Sequence, residues 1–345
     1  MKILVAAYNR PKKLIRTLEF YRSEIFKNFC EVVVLDGSDD ANLAKVIEVY
    51  CLQNMVEYRY NPAHFCDRII DYCESLEQKE IIAVSPDEDV YLPDFLEYAE
   101  NFLKNNPSFS AIVGRYVTFQ KPLGPFSRIS YSRDALLDYA INDVSPLKRA
   151  QKLFACLFAG CSPVFWGVRT AGNYLETCRI QKECQIGASM EVADQIVLAL
   201  QGKIQFIDKL MMLRDETKIR HQHSEEHHNL NNYITLQECD ILKGVALKSN
   251  YADMKKCVDM WCTIYEYDES NKKSIAMQWF GGNLRKSKSF TSSSLEKLLI
   301  NIRYHSVRSL IVFYEIVVAY IVVNSLKRKY GRSRISSVTK QLPVS

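Results

Sequence analysis

Ile81-Ile82-Ala83-Val84-Ser85-Pro86-Asp87-Glu88-Asp89 is an apolar, strand-like run that ends in three consecutive carboxylates, and Val90-Tyr91-Leu92-Pro93 follows it. A buried strand that delivers acids to its C-terminal edge is one way to hold a divalent cation against a diphosphate. Hard cations such as Mg²⁺ and Mn²⁺ take carboxylate oxygens and complete their shell with water and phosphate. Three acids packed this closely repel one another, which favours a counter-cation. An acidic turn ahead of a helix accounts for the same residues, because Asp and Glu suit helix N-termini. The run alone leaves both readings open.

The residues upstream repeat the pattern. Ile3 to Ala7 is a compact apolar strand broken by Tyr8-Asn9-Arg10-Pro11. Pro11 suits the first turn of a helix, with Asn9 as a candidate cap, and Leu14, Ile15, Leu18, Tyr21 and Ile25 recur at helical spacing. Glu31 to Leu35 is a second strand running into Asp36-Gly37-Ser38-Asp39-Asp40, and Ala41 to Cys51 is again helical in pattern. Val56 to Tyr60 reads as a short strand, and the segments 65–76 and 93–105 read as helices. Strands alternating with helices of about ten residues predict βαβ units and a parallel sheet. In such sheets ligands bind outside the carboxyl ends of the strands. Three polar loops, Tyr8-Asn9-Arg10, Asp36-Gly37-Ser38 and Asp87-Glu88-Asp89, are therefore expected on one rim.

After Ala111 the pattern changes. The segment 111–119 is a strand, 121–125 a turn, 134–143 a helix, and 158–168 a strand with a tight loop. Ser189 to Gln201 is an amphipathic helix closed by Gly202, and Ile204 to Ile207 starts another strand. Beyond about residue 235 the chain is mostly helical and shows no repeats.

With 345 residues, 48% hydrophobic and 25% charged, the chain is long enough for one large domain or a catalytic domain with an appendage. A net charge of +5 is too mild to indicate nucleic acid. The eleven cysteines show no zinc-like spacing, and the opening apolar run is too short for a signal peptide, so reduced thiols in the cytoplasm are expected. No GxGxxG follows the first strand and no GxxxxGK[ST] occurs, which takes support from the dinucleotide-fingerprint and P-loop classes. With 12 glycines, a phosphate would be met by a metal and side chains rather than by a glycine-rich cradle.

Taken in order, Ala6 to Pro11, Val34 to Ser38, Asp87-Glu88-Asp89 and Ser189 to Gln195 resemble the nucleotide-diphospho-sugar transferases of the GT-A fold. The likeness is strongest to the family 2-like inverting glycosyltransferases of bacterial surface-polysaccharide pathways. It implies an α/β fold: a Rossmann-like, mostly parallel sheet flanked by helices over residues 1–235, with a helical C-terminal extension over 236–345. By position it implies that Ala7, Tyr8 and Arg10 line the nucleotide and Asp36 meets the base. Asp87 and Glu88 would lie on the donor side, and Asp89 would bind Mn²⁺ or Mg²⁺. The donor would be a nucleotide-diphosphate sugar and the acceptor a surface-polysaccharide or lipid-linked glycan. The glycine placed directly after Asp36 and the acidic Glu88 depart from the family pattern and leave the nucleotide base open.

An inverting transfer needs a general base for the acceptor hydroxyl. Asp194 and Glu191 share one helix face at i and i+3. Counting back from Gly202 favours Glu191, but the family pattern around Ala193-Asp194-Gln195 makes Asp194 the preferred base. Both acids also suit a helix start through the macrodipole alone. His221 and His223, in a polar run with His227 and His228, are candidates to complete a metal shell or touch the diphosphate, or they are solvated loop residues. The segment 161–167 is a candidate acceptor loop, since aromatic faces suit sugar C–H surfaces, and Phe165 and Trp166 suit a core equally.

Residues 310–323 form the most apolar run, shorter than a bilayer span and containing Glu315, with Lys327, Arg328, Lys329, Arg332 and Arg334 after it. That combination suits a helix in an anionic membrane surface across 310–334, or a packed terminal helix with a basic tail. The expected location is the cytoplasm, with peripheral attachment at the inner face of the inner membrane. Two competing classes are a sugar nucleotidyltransferase, which would carry a glycine-rich basic first loop, and an inactive nucleotide-sugar-binding membrane partner.

Overall fold

The computed structural model describes residues 1–22, 29–120, 128–131, 140–158, 164–184, 187–215 and 236–266. The first unit runs β1 (Lys2–Ala7), α1 (Pro11–Tyr21), β2 (Glu31–Asp36), α2 (Ala41–Gln53), β3 (Glu57–Tyr60), α3 (Phe65–Cys73) and β4 (Ile81–Pro86). Next come β5 (Val90–Tyr91), α4 (Pro93–Asn105), β6 (Phe109–Gln120), β7 (Arg128–Tyr131), β8 (Ala140–Ile141) and α5 (Pro146–Phe158). A 3-10 turn (Val164–Trp166), β9 (Arg169–Thr170), α6 (Ala171–Gln181), α7 (Gly187–Gln201), β10 (Lys203–Asp215), α8 (Leu236–Lys248) and α9 (Met254–Glu266) complete it.

Strands β3-β2-β1-β4 lie in that order and are parallel, with β9 antiparallel on the β4 edge. Ile3, Leu4, Val5, Val33, Val34 and Ile81 to Val84 are all buried. Helices cover both faces of this sheet, so its strands read as continuous apolar runs rather than alternating ones. The register pairs Ala7 with Asp36 and Ala6 with Pro86, which brings the ends of β1, β2 and β4 to one edge.

A second sheet, β5-β10-β6-β7, was not foreseen as a sheet. Strand β10 runs parallel to β6 with register shifts, and it pairs antiparallel with β5 through Met212 with Tyr91 and Leu213 with Val90. The end of β10 is thereby set beside the acidic run. Gly202 lets α7 turn into β10 at close quarters, because a Cβ there would meet the Ser108 carbonyl and the Ser110 amide at 2.9 Å.

Several local expectations change. Asn9 does not cap α1: it takes a left-handed φ of 53°, and the N-cap is Arg10, with no side-chain cap bond. Pro11 fills the first turn as expected. Ala140 and Ile141 pair with β10 as a strand rather than closing a helix, and the 158–168 region supplies the end of α5 and the 3-10 turn. Helices α8 and α9 bury Leu242, Val245, Val258 and Trp261 in the same core as α5 and α7. Nine described cysteines are free thiols, all buried except the half-buried Cys30. Among the described residues no helix is long and apolar enough to cross a membrane. Residues 310–334, His221, His223 and Cys161 lie outside the described residues.

Candidate active site

At the shared edge Tyr8 follows β1, and its backbone N–H donates to Asp87 Oδ2 at 3.4 Å. Arg10 binds the same carboxylate through Nε to Oδ2 at 3.2 Å and through a terminal nitrogen 2.5 Å from Oδ1. Its other terminal nitrogen donates to Glu88 Oε2 at 2.8 Å, and Lys13 also pairs with Glu88. Lys13 and Arg16 reach Asp215 Oδ2 at 3.7 and 3.2 Å. Arg10, Lys13 and Arg16 recur every third residue, so one side of α1 presents bases to the acidic run. From β10, Arg214 donates to Asp89 Oδ2 at 3.2 Å, and the Asp215 amide donates to Asp89 Oδ1 at 2.8 Å.

Four acids, Asp87, Glu88, Asp89 and Asp215, thus meet four bases, Arg10, Lys13, Arg16 and Arg214. Burial pushes Asp87 up to about 6, with Arg10 pulling against it and Glu88 adding to it. Burial likewise pushes Asp89 up to about 7, opposed by Arg214 and the Asp215 amide. Both are almost wholly buried, so the charged forms survive only because partners sit on them.

Asp36 is fully buried at the end of β2. Its Oδ1 accepts from the Ser38 amide and hydroxyl at 2.9 and 2.6 Å, and its Oδ2 from the Tyr58 hydroxyl at 2.9 Å. Gly37 makes room for Arg68: a Cβ would lie 2.4 Å from the guanidinium carbon. Arg68 donates from there to the carbonyls of Ala7 and Leu35 at 2.9 and 2.7 Å, tying the ends of β1 and β2 together. Ala7 is buried, while Tyr8 is 40% exposed and donates its hydroxyl to Asp39 Oδ2 at 2.8 Å. Asp39, also held by the Asn9 amide, is the exposed acid of this rim and was not singled out from the sequence.

The two candidate bases on α7 have different surroundings. Asp194 is buried and gripped by the fully buried Arg169, whose two terminal nitrogens donate to Oδ1 and Oδ2 at 2.6 and 2.7 Å. Burial works against the Arg169 charge, but Asp194 more than offsets this and holds the guanidinium above its ordinary value. Glu191 is half-buried, and no ion pair to it is found among the described residues. Burial pushes its carboxyl up to about 7, Asp194 adds to this, and Arg214 opposes it. Arg214 also binds Asp89, so the charge of one guanidinium acts on both carboxyls.

Among the described residues no three His, Cys, Asp or Glu side chains gather as a metal-binding set. Both Asp89 oxygens already accept from Arg214 and Asp215. The described residues therefore do not form a cage for the expected Mn²⁺ or Mg²⁺.

The chain matches no protein-family profile. No curated protein matches it in sequence. In structure it is similar to S. aureus TarS 1-349 in complex with UDP-GlcNAc, with 14% identity over 79% of this chain and 75% of that one and a TM-score of 0.48. It is also similar to GalNAc-T7 with UDP, GalNAc and Mn²⁺, with 11% identity over 79% and 58% of the two chains and a TM-score of 0.49. A third likeness, to glucosyl-3-phosphoglycerate synthase from Mycobacterium tuberculosis, has 12% identity over 64% and 72% and a TM-score of 0.36. The chain spans 44% of a longer TarS chain. The fold itself is α/β, with a mostly parallel first sheet flanked by helices.

At this edge Tyr8, Arg10, Asp87, Glu88 and Asp89 come together as one cluster, with Asp36 at the end of the neighbouring strand β2. Sequence reading missed Lys13, Arg16 and Arg169 as parts of the site, and it placed Arg214 beside the histidine run or on Asp215 or Glu216 rather than on Asp89. The i, i+3 spacing of Arg10, Lys13 and Arg16 was a signal that could have found three bases on one helix side.

Proposed function

We propose that this protein is a glycosyltransferase that moves a sugar from a nucleotide-diphosphate donor to an acceptor hydroxyl. The observation that carries it is the convergence of Tyr8, Arg10 and the acids 87–89 at the carboxyl ends of β1 and β4, with the half-buried Glu191 under the charge of the same Arg214 that binds Asp89. The nucleoside lies over the β1–β2 rim, against Tyr8 and Asp39. The diphosphate lies along the basic side of α1, where Arg10 and Lys13 keep 25% and 15% of their side chains exposed, and near Arg214, at 23%.

In the transfer Glu191 accepts the proton of the acceptor hydroxyl as its oxygen bonds to the anomeric carbon. The bond from that carbon to the diphosphate breaks, and the leaving group keeps the electron pair. Charge developing on the diphosphate is met by preorganised cations in a partly dry site, where such contacts are strongest. A carboxyl held near 7 matches the demands of a general base close to neutral pH. Asp194 suits that role less, because both of its oxygens already accept from Arg169.

Mn²⁺ or Mg²⁺ enters this proposal only as a competitor of Arg214 for Asp89, and no step above depends on it. A surface-polysaccharide or lipid-linked acceptor, inversion, the cytoplasmic location and attachment to a membrane surface through 310–334 are supported by the sequence patterns alone. The test is release of nucleoside diphosphate from a panel of nucleotide sugars, with and without added acceptor glycans. Turnover of at least one donor, lost in Glu191→Gln with donor binding intact, is the expected result.

A further inference from the structure

Four successive carbonyls in the turn before β9 are each held by a buried side chain. Arg169 donates to Val164 O at 3.0 Å and to Phe165 O at 2.8 Å. Tyr91 donates to Trp166 O at 2.5 Å, and Tyr174 donates to Gly167 O at 2.8 Å. Polypeptide turns satisfy most carbonyls with water or backbone, so a turn clamped at every carbonyl is over-determined in position. The Phe165 and Trp166 rings it carries meet edge to face at 4.7 Å between centroids, and Phe165 stacks on Phe65 at 6.5 Å.

Arg169 is the hub of this clamp. Its register partner in β4 is Ile82, on the strand that leads into Asp87. The Tyr174 ring lies 4.6 Å from its guanidinium carbon, and Thr177 Oγ1 lies 3.4 Å from a terminal nitrogen. The two-point bond to Asp194 reaches α7 one helical turn beyond Glu191. A buried ion pair adds little net stability over well-packed apolar side chains, so its directional bonds are its distinctive contribution.

We infer that Arg169 and Asp194 are positioning residues that lock the base-bearing helix α7 to the aromatic turn Val164–Trp166 and to strand β4. The pair thereby fixes where Glu191 stands relative to an acceptor lying on the aromatic turn. This rests on the glycosyltransferase proposal above. Because the clamp binds carbonyls rather than substrate, its loss acts on the chemical step through misplacement, with donor binding left in place. Misplacing a catalytic group by a fraction of an ångström to about 1 Å costs roughly tenfold to a hundredfold in rate.

The test uses the full chain with four variants: Asp194→Asn, Arg169→Lys, the paired apolar variant Arg169→Met/Asp194→Leu, and Glu191→Gln. The paired variant guards against misfolding, since it leaves no buried charge unmatched. For each, thermal stabilisation by nucleoside diphosphates reports donor-site integrity, and steady-state transfer gives kcat and KM across pH. Among the described residues, the charges acting on Glu191 are Asp194 on its own helix and Arg214 on β10.

The expected result is that the paired variant still folds and binds nucleotide with near-native donor KM, while kcat falls roughly tenfold to a hundredfold. Its acid limb also moves to lower pH, because the Asp194 charge no longer lifts Glu191. Unchanged kcat and pH profile in the folded paired variant would overturn the inference and leave the pair merely structural. An active Glu191→Gln beside nucleotide-binding but inactive Asp194 variants would also overturn it and return the base role to Asp194. A wild type that neither binds nor turns over any nucleotide sugar overturns the glycosyltransferase proposal itself, and this inference with it.

Discussion

At the residue scale, the site is governed by carboxyls that burial has raised. Glu191 near 7 must be ionised to take a proton, so transfer should rise with pH through about 7 and level off above it. Glu191→Gln should cut kcat by about 10²- to 10⁴-fold with donor affinity kept, as measured by steady-state transfer and thermal shift. Asp87 and Asp89 carry a stability consequence with a definite sign. Their folded values, about 6 and about 7, lie above the ordinary carboxylate value, so protons stabilise the ligand-free fold. That contribution is full below about pH 4 and is lost as pH rises through about 7. Melting temperature should therefore decline between pH 5 and pH 8, and Asp89→Asn should flatten the decline. A wild-type curve that rises across this window would contradict the burial argument. With Arg10, Lys13 and Arg214 at the rim, nucleoside diphosphate should keep part of its stabilising effect in EDTA and lose it steeply with added salt. Complete loss on chelation alone would show that the basic residues do not suffice.

At the element scale, the strand ends matter most. The turn after β2 works because Gly37 lets Arg68 pass beneath it to two carbonyls. Gly37→Ala should displace that guanidinium and cost about 1–3 kcal/mol of stability, together with nucleotide affinity, in denaturant melts and thermal shifts. β1, β2 and β4 were legible as apolar runs because both sheet faces are covered, and Pro11 and Pro93 marked the starts of α1 and α4 correctly. Asn9 was misread because a cap and a left-handed turn residue favour the same side chain. The two-residue strands β5, β8 and β9 are too short to show any periodicity. Their existence depends on partners 60 to 130 positions away, such as Met212 for Tyr91 and Ile82 for Arg169. For the same reason neither Arg214 on Asp89 nor Arg169 on Asp194 could be read from local spacing.

At the scale of the whole molecule, one core runs from the first sheet to the last described helices. Trp261 of α9 packs edge to face on Phe154 of α5 at 4.8 Å, and Leu242 and Val258 are fully buried beside α5 and α7. A chain cut after residue 235 would expose these faces, so it should unfold at lower temperature and lose cooperativity relative to the full chain. The change of pattern near residue 235 was visible in the sequence, but shared burial across it was not, because amphipathic spacing does not say which surface a helix covers. The combined surface leaves one rim where carboxylates and guanidiniums meet. The most direct measurement of that claim is nucleoside-diphosphate release from a broad nucleotide-sugar panel by the wild type and by Glu191→Gln and Arg10→Ala variants. The account predicts release from at least one donor, weaker donor binding in Arg10→Ala, and intact binding without transfer in Glu191→Gln. Absence of both binding and release across the panel, with the chain folded, would contradict it.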